Sequence, residues 1–105
     1  MYYRFRNRDG TEGLSHLAVI DTKGEVTAVK REAVTLVPLG QWRSAGGTEY
    51  PSGWRLKIAD RGLDLRIEPV VEDQLMDLSV KYWEGAVVVS GSHQGRGYVE
   101  LAGYE

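Results

Sequence analysis

Apolar and polar side chains alternate along most of this chain, and the alternation has a period of two. In "WRLKIA", Trp54, Leu56 and Ile58 fall on one side, and Arg55 and Lys57 on the other. After "DRG", "LDLRIEP" repeats the pattern, with Leu63, Leu65 and Ile67 set against Asp64, Arg66 and Glu68. Period two is the mark of a sheet with one wet face. A register placing Ile58 opposite Leu63 keeps both apolar sets together. It also sets Lys57 across from Asp64, a favourable opposite-charge pair. A slip of one residue would turn the apolar set outward, so the register is firmly specified.

The same reading extends to both ends. "MYYRFRNR", "LSHLAVID" and "EVTAVKRE" read as strands separated by the turn signals "NRDGTEG" and "TKGE". "AVTLVPLGQW" is mostly extended, with Pro38 near its end, where a lost backbone donor matters least. From Arg43 to Gly53, "RSAGGTEYPSG" predicts one long irregular loop. "VVEDQLMDLSV" predicts a crossover or a strand continuation, not a true helix. "GAVVVSGS" and "RGYVELAGY" close the chain as strands joined at "SHQG", and Gly85 predicts a bend or bulge. About eight short strands with regular turn signals imply an all-β sandwich or barrel. A small antiparallel β-barrel of about eight strands is the expectation, because closure removes exposed edges.

Composition narrows the function more than the fold. A length of 105 residues fits one domain, residues 1–105. The net charge of -2 leaves no basic surplus, so nucleic acid is not an expected partner. No apolar run approaches the roughly 20 residues of a membrane-spanning helix. With no cysteine and only two histidines, neither a disulfide nor a transition-metal site is expected. No motif calls for a cofactor. "GSHQGRG" lacks the strand-loop-helix context of a phosphate cradle, so His93 reads as a solvated turn residue.

The candidate chemistry is therefore thin. His16 alternates with Leu14, Ala18 and Ile20, which makes it either a core or rim residue or an acid-base group inside a barrel. Glu84 and Glu100 lie on the last two strands. A carboxylic acid in an apolar barrel would have a raised pKa and could protonate an alkene. The plainer reading has each capping a strand. Trp42, Tyr50, Trp54, Tyr82, Trp83, Tyr98 and Tyr104 either line an apolar ligand cavity or plug a small barrel.

Taken in order, "LVPLGQWRSAGGTEYPSGWRLKIADRGLDLRIEP", "DQ", "YWEGAVVVSG" and "GRGYVELAGY" resemble the lipocalin-like AttH proteins and carotenoid 1,2-hydratases of the hydroxyneurosporene synthase type. "MYYRFRNRDG" resembles the strand that opens the same domain. The combination "W-x-S…Y-P-x-x-W", "Y-W-E-G" and "G-Y-V-E-L-x-G-Y" carries the resemblance. It implies a calycin-like barrel that is the C-terminal domain of a longer two-domain protein. A start at Met1 inside a strand fits that expectation. The implied partners are the N-terminal domain of the same parent and an apolar small molecule. The implied activity is cofactor-free hydration of a polyene, with Glu84, Glu100, Tyr3 and His16 as weak catalytic candidates. Trp42, Tyr50, Trp54, Tyr82, Trp83 and Tyr98 would be the ligand-binding set.

The His-x-Trp motif of the hydratases is absent here, and Phe5 stands where an acid would be sought. The chain alone is therefore expected to be inactive. The other reading is an interaction module of an envelope protein tied to an ABC transporter, with a filled core and one exposed apolar patch. The parent would then be periplasmic or envelope-associated.

Overall fold

A computed structural model of the chain describes residues 1–104. Strands account for nearly all of its regular structure, and neighbouring strands pair antiparallel. The chain divides into two compact units, Met1–Val34 and Thr35–Glu105. The class is all-β and compatible with a lipocalin-like fold.

The first unit is a three-stranded sheet in the order β1 (Tyr2–Arg6), β2 (Glu12–Ile20) and β3 (Val26–Val29). Tyr3 stands opposite His16, and Ile20 opposite Val26. The turns are set by short polar side chains. Asp9 accepts hydrogen bonds from the backbone and hydroxyl of Thr11, and Asp21 accepts from the backbone N–H groups of Lys23 and Glu25. These are the local turn bonds that aspartate favours.

The second unit holds a six-stranded sheet. Its main path runs β11 (Gly95–Ala102), β10 (Lys81–Gly91), β8 (Leu63–Pro69), β7 (Trp54–Ile58), β4 (Val34–Pro38), with β9 (Leu75–Asp77) also on β10. No pair joins β11 to β4 among the described residues. The β7–β8 hairpin has the predicted register, Ile58 opposite Leu63 and Lys57 opposite Asp64. The Lys57 charge does favour the Asp64 carboxylate, but the hydrogen-bonded ion pair is made by Arg55. Asp64 accepts two bonds from Arg55, at 2.9 and 2.7 Å, because the guanidinium fork matches a carboxylate where an ammonium does not.

Two further expectations change. There are eleven strands among the described residues, because several are only three residues long. The segment from Arg43 to Gly53 is a hairpin, β5 (Gln41–Arg43) paired with β6 (Glu49–Pro51), and not a long loop. Ser44 is buried at its turn, where its hydroxyl accepts from the Thr48 N–H, so the glycines lie within an ordered turn. The reading of "VVEDQLMDLSV" as a strand continuation holds, and the segment contains no helix. It continues as β9, which pairs with β10.

The core of the second unit is the inner face of β7 and β10. Trp54, Leu56, Ile58, Trp83 and Val87 are buried there. The outer face of the hairpin carries Arg55 with Asp64 and Arg66 with Glu68.

Candidate functional site

The stretch Tyr82-Trp83-Glu84-Gly85 shows how the aromatic motifs are used. Along β10, side chains alternate between inner and outer faces, so Trp83 goes in while Glu84 goes out. Trp83 is 2% exposed, and its ring lies edge-on to Trp54 with centroids 6.4 Å apart. Its indole N–H donates to the Glu72 carbonyl at 2.7 Å, which satisfies the one polar atom it buries.

Gly85 sits in regular pairing with Val99, not at a bend or bulge. The Gln74 amide explains it. A Cβ on Gly85 would come within 2.3 Å of the Gln74 side chain. Lying against the bare glycine, that amide accepts from the Ala86 N–H at 2.9 Å and donates to the Val71 and Ala86 carbonyls. It acts as a piece of strand in the gap along β10 between Pro69 and Leu75. The "DQ" and "Y-W-E-G" signatures are thus one structural device.

The remaining aromatics form a second cluster. Trp42 stacks on Tyr50 at 6.1 Å, and Tyr50 meets Tyr104 at 5.6 Å. Tyr50 is buried and Tyr82 half-buried. Tyr98 differs from the rest. It points outward and is 77% exposed, beside an open groove of about 550 Å³ lined by Val70, Ala86, Val88 and Arg96. So the six residues expected to line one ligand cavity fall into two packed clusters, a half-buried tyrosine and a surface tyrosine. Glu84 and Glu100 stand directly opposite each other, both exposed on that outer face, away from the buried tryptophans.

Tyr3 and His16 come together in the first unit. Their rings lie 5.7 Å apart, and Phe5 lies 5.6 Å from Tyr3. Leu14, His16, Ala18 and Ile20 do share a face, as their spacing predicts. That face is largely uncovered, however: of these four only Ala18 is buried. Leu14 is 65% and Phe5 60% exposed, and Ile20 and Val26 are also exposed. Leu17, with the opposite parity, is buried. The result is an apolar surface across the three strands, with a phenol and an imidazole as its polar groups.

Sequence reasoning missed Phe5, Leu14, Ile20 and Val26 as surface residues and Gln74 as a clamp. The run Leu17-Ala18-Val19-Ile20 was the available signal, since apolar residues on both parities mark a strand meant to be covered on both faces. Among the described residues no group of three or more His, Cys, Asp or Glu is placed to hold a metal ion. Among the described residues no helix is long and apolar enough to cross a membrane.

With this geometry in hand, comparison with known proteins is informative. The AttH-like family matches residues 1–104. A crystal structure of a protein described as a candidate AttH, from Nitrosomonas europaea, superposes with a TM-score of 0.86 at 31% identity. The match covers 99% of this chain and 34% of that one, so this chain spans about a third of the relative's length. None of the curated proteins matches this chain.

Proposed function

The chain belongs to the AttH-like family, and from that premise we propose that it supplies a larger AttH-like protein with an apolar docking surface. The surface is the exposed face of β1, β2 and β3, built from Tyr3, Phe5, Leu14, His16, Ile20 and Val26. The exposure of these large apolar side chains carries the reading. Monomeric domains rarely leave so many on one face, and covering each is worth about 1.5–3 kcal/mol. The occupant we assign is the N-terminal domain of the same parent. The 34% coverage of the Nitrosomonas relative supports a longer parent in this family.

An apolar small molecule shared between the two domains is the second reading. The Tyr3, Phe5 and His16 rings favour it, since they give an apolar floor with two polar groups. Polyene hydration, implied by the hydratase resemblance, needs an acid facing apolar surface. Glu84 and Glu100 are exposed on the other unit's outer face, so the chain contributes surface, and such an acid would belong to the rest of the parent.

Titration with 1-anilinonaphthalene-8-sulfonate tests this. The chain alone should enhance the dye's fluorescence, and Leu14→Asp should abolish the enhancement while leaving the unfolding midpoint in urea unchanged. The full-length parent should bind no dye at this face. Dye binding indifferent to Leu14→Asp, or absent from the isolated chain, would sink the reading. A full-length parent that still binds it, and releases it to a polyene, would favour the small molecule.

A further inference from the structure

The most distinctive surface outside that face is the free side of β11. This strand pairs only with β10 and ends the six-stranded sheet among the described residues. Over residues 95–101 no described backbone hydrogen bond runs to anything but β10. An edge of this length offers its N–H and C=O groups to another strand. Natural edges are guarded by charge, and β11 carries two charged side chains, Arg96 and Glu100, on its outer face. They lie symmetrically, each two residues from the exposed Tyr98.

That symmetry changes what the charges do. Glu100 stands directly opposite Glu84 within its own sheet, a like-charge pairing that is unfavourable. Neither glutamate nor Arg96 has an ion-pair partner among the described residues. Consider β11 laid antiparallel on a copy of itself about a two-fold axis at Tyr98. Tyr98 then faces Tyr98, Gly97 faces Val99, and Arg96 of each copy stands opposite Glu100 of the other. Both charges find opposite partners, and the second arginine offsets the Glu84–Glu100 repulsion. Parallel, in-register pairing would instead set arginine on arginine and glutamate on glutamate. The pattern therefore rejects open-ended parallel stacking and accepts one closed pair.

We propose that β11 is the edge at which two copies of this chain associate, antiparallel and centred on Tyr98. The apolar groove beside Tyr98, floored by Ala86 and Val88, gives the second copy's tyrosine a surface to cover. The proposal is independent of the apolar face of the first unit, since none of its residues lies there.

Sedimentation equilibrium from about 10 µM to about 1 mM tests it, the range in which weak edge pairing is measurable. The unmodified chain should show a monomer–dimer equilibrium that weakens with added salt. Arg96→Glu and Glu100→Arg should each weaken the dimer roughly tenfold or more, because each turns two attractive contacts into two repulsive ones. An equimolar mixture of the two variants should dimerise again, since unlike chains restore both opposite-charge contacts. Recovery on mixing requires both variants to be folded, so misfolding cannot imitate it. A chain monomeric throughout, a dimer unmoved by either variant, or variants that stay apart when mixed would each overturn the proposal.

Discussion

Strand β7 buries Trp54, Leu56 and Ile58, whereas β2, with the same alternation of apolar residues, leaves Leu14 and Ile20 in solvent. In the second unit the alternation is answered from within. β10 brings Trp83 and Val87 to the same core, and Gln74 bridges the break in the sheet. In the first unit Phe5, Leu14, Ile20 and Val26 stay exposed, and Ala18 is the buried member of their face. Alternation states which residues share a face; it does not state which face is covered. That second fact depends on partners far along the chain or outside it. The second unit should therefore respond to substitution as a core does, and the exposed face of the first as a surface does.

The largest effect should come from Trp83→Ala. It removes the ring packed on Trp54 and the bond to the Glu72 carbonyl, and should cost about 3–5 kcal/mol in urea unfolding. Phe5→Ala, an equally drastic truncation on the other unit, should cost less than about 0.5 kcal/mol. Similar losses for the two would break the contrast between the units.

Gly85→Ala comes next. The added methyl collides with the Gln74 amide, and overpacking of this kind costs about 1–3 kcal/mol. Gln74→Ala should itself destabilise by about 1–3 kcal/mol, because it strips partners from the Ala86 backbone. Made together, the two should cost clearly less than their sum, with a coupling of about 0.5–3 kcal/mol. Strict additivity would mean that Gly85 serves something other than room for Gln74.

These residues also show what was legible beforehand. The register of Ile58 on Leu63 could be read because a slip inverts the apolar face, and it is present. Pro38 does lie at the end of β4. The β5–β6 hairpin was hidden because its strands are three residues long, too short for alternation to show against two glycines. The Arg55–Asp64 pair was missed because spacing does not distinguish a bidentate diagonal contact from a direct cross-strand one. Gly85 read as a bend because its reason, the Gln74 side chain, lies eleven residues upstream and meets it only in the folded sheet. Of the site candidates, the spacing put His16 with Leu14, Ala18 and Ile20, but it did not show that Leu14, His16 and Ile20 meet solvent while Ala18 is buried. The seven aromatics could be counted, but their division into two clusters, the half-buried Tyr82 and the surface Tyr98 follows from tertiary contacts alone.

The smallest effects should separate the units by pH. In the second unit, Arg55 hydrogen-bonds the Asp64 carboxylate and holds its pKa below the usual carboxylate value. A lowered folded pKa gives stability that is present above the unfolded value, about 4, and is lost as pH falls through the folded value. In the first unit, burial pushes the Tyr2 phenol up, and the Glu12 carboxylate adds to it. A raised folded pKa gives stability that is present below the unfolded value, about 10, and is lost as pH rises through the folded one. Melting temperatures against pH for the wild type, Asp64→Asn and Tyr2→Phe should show both. The wild type's advantage over Asp64→Asn should shrink on acidification, and its stability relative to Tyr2→Phe should fall only above about pH 10. The acid effect should be slight, since the Arg55–Asp64 pair is largely exposed, and it should fade further with salt. A Tyr2→Phe difference flat through the alkaline range would mean that the phenol is as solvated as in the unfolded chain, and that β1 is open to water on both faces.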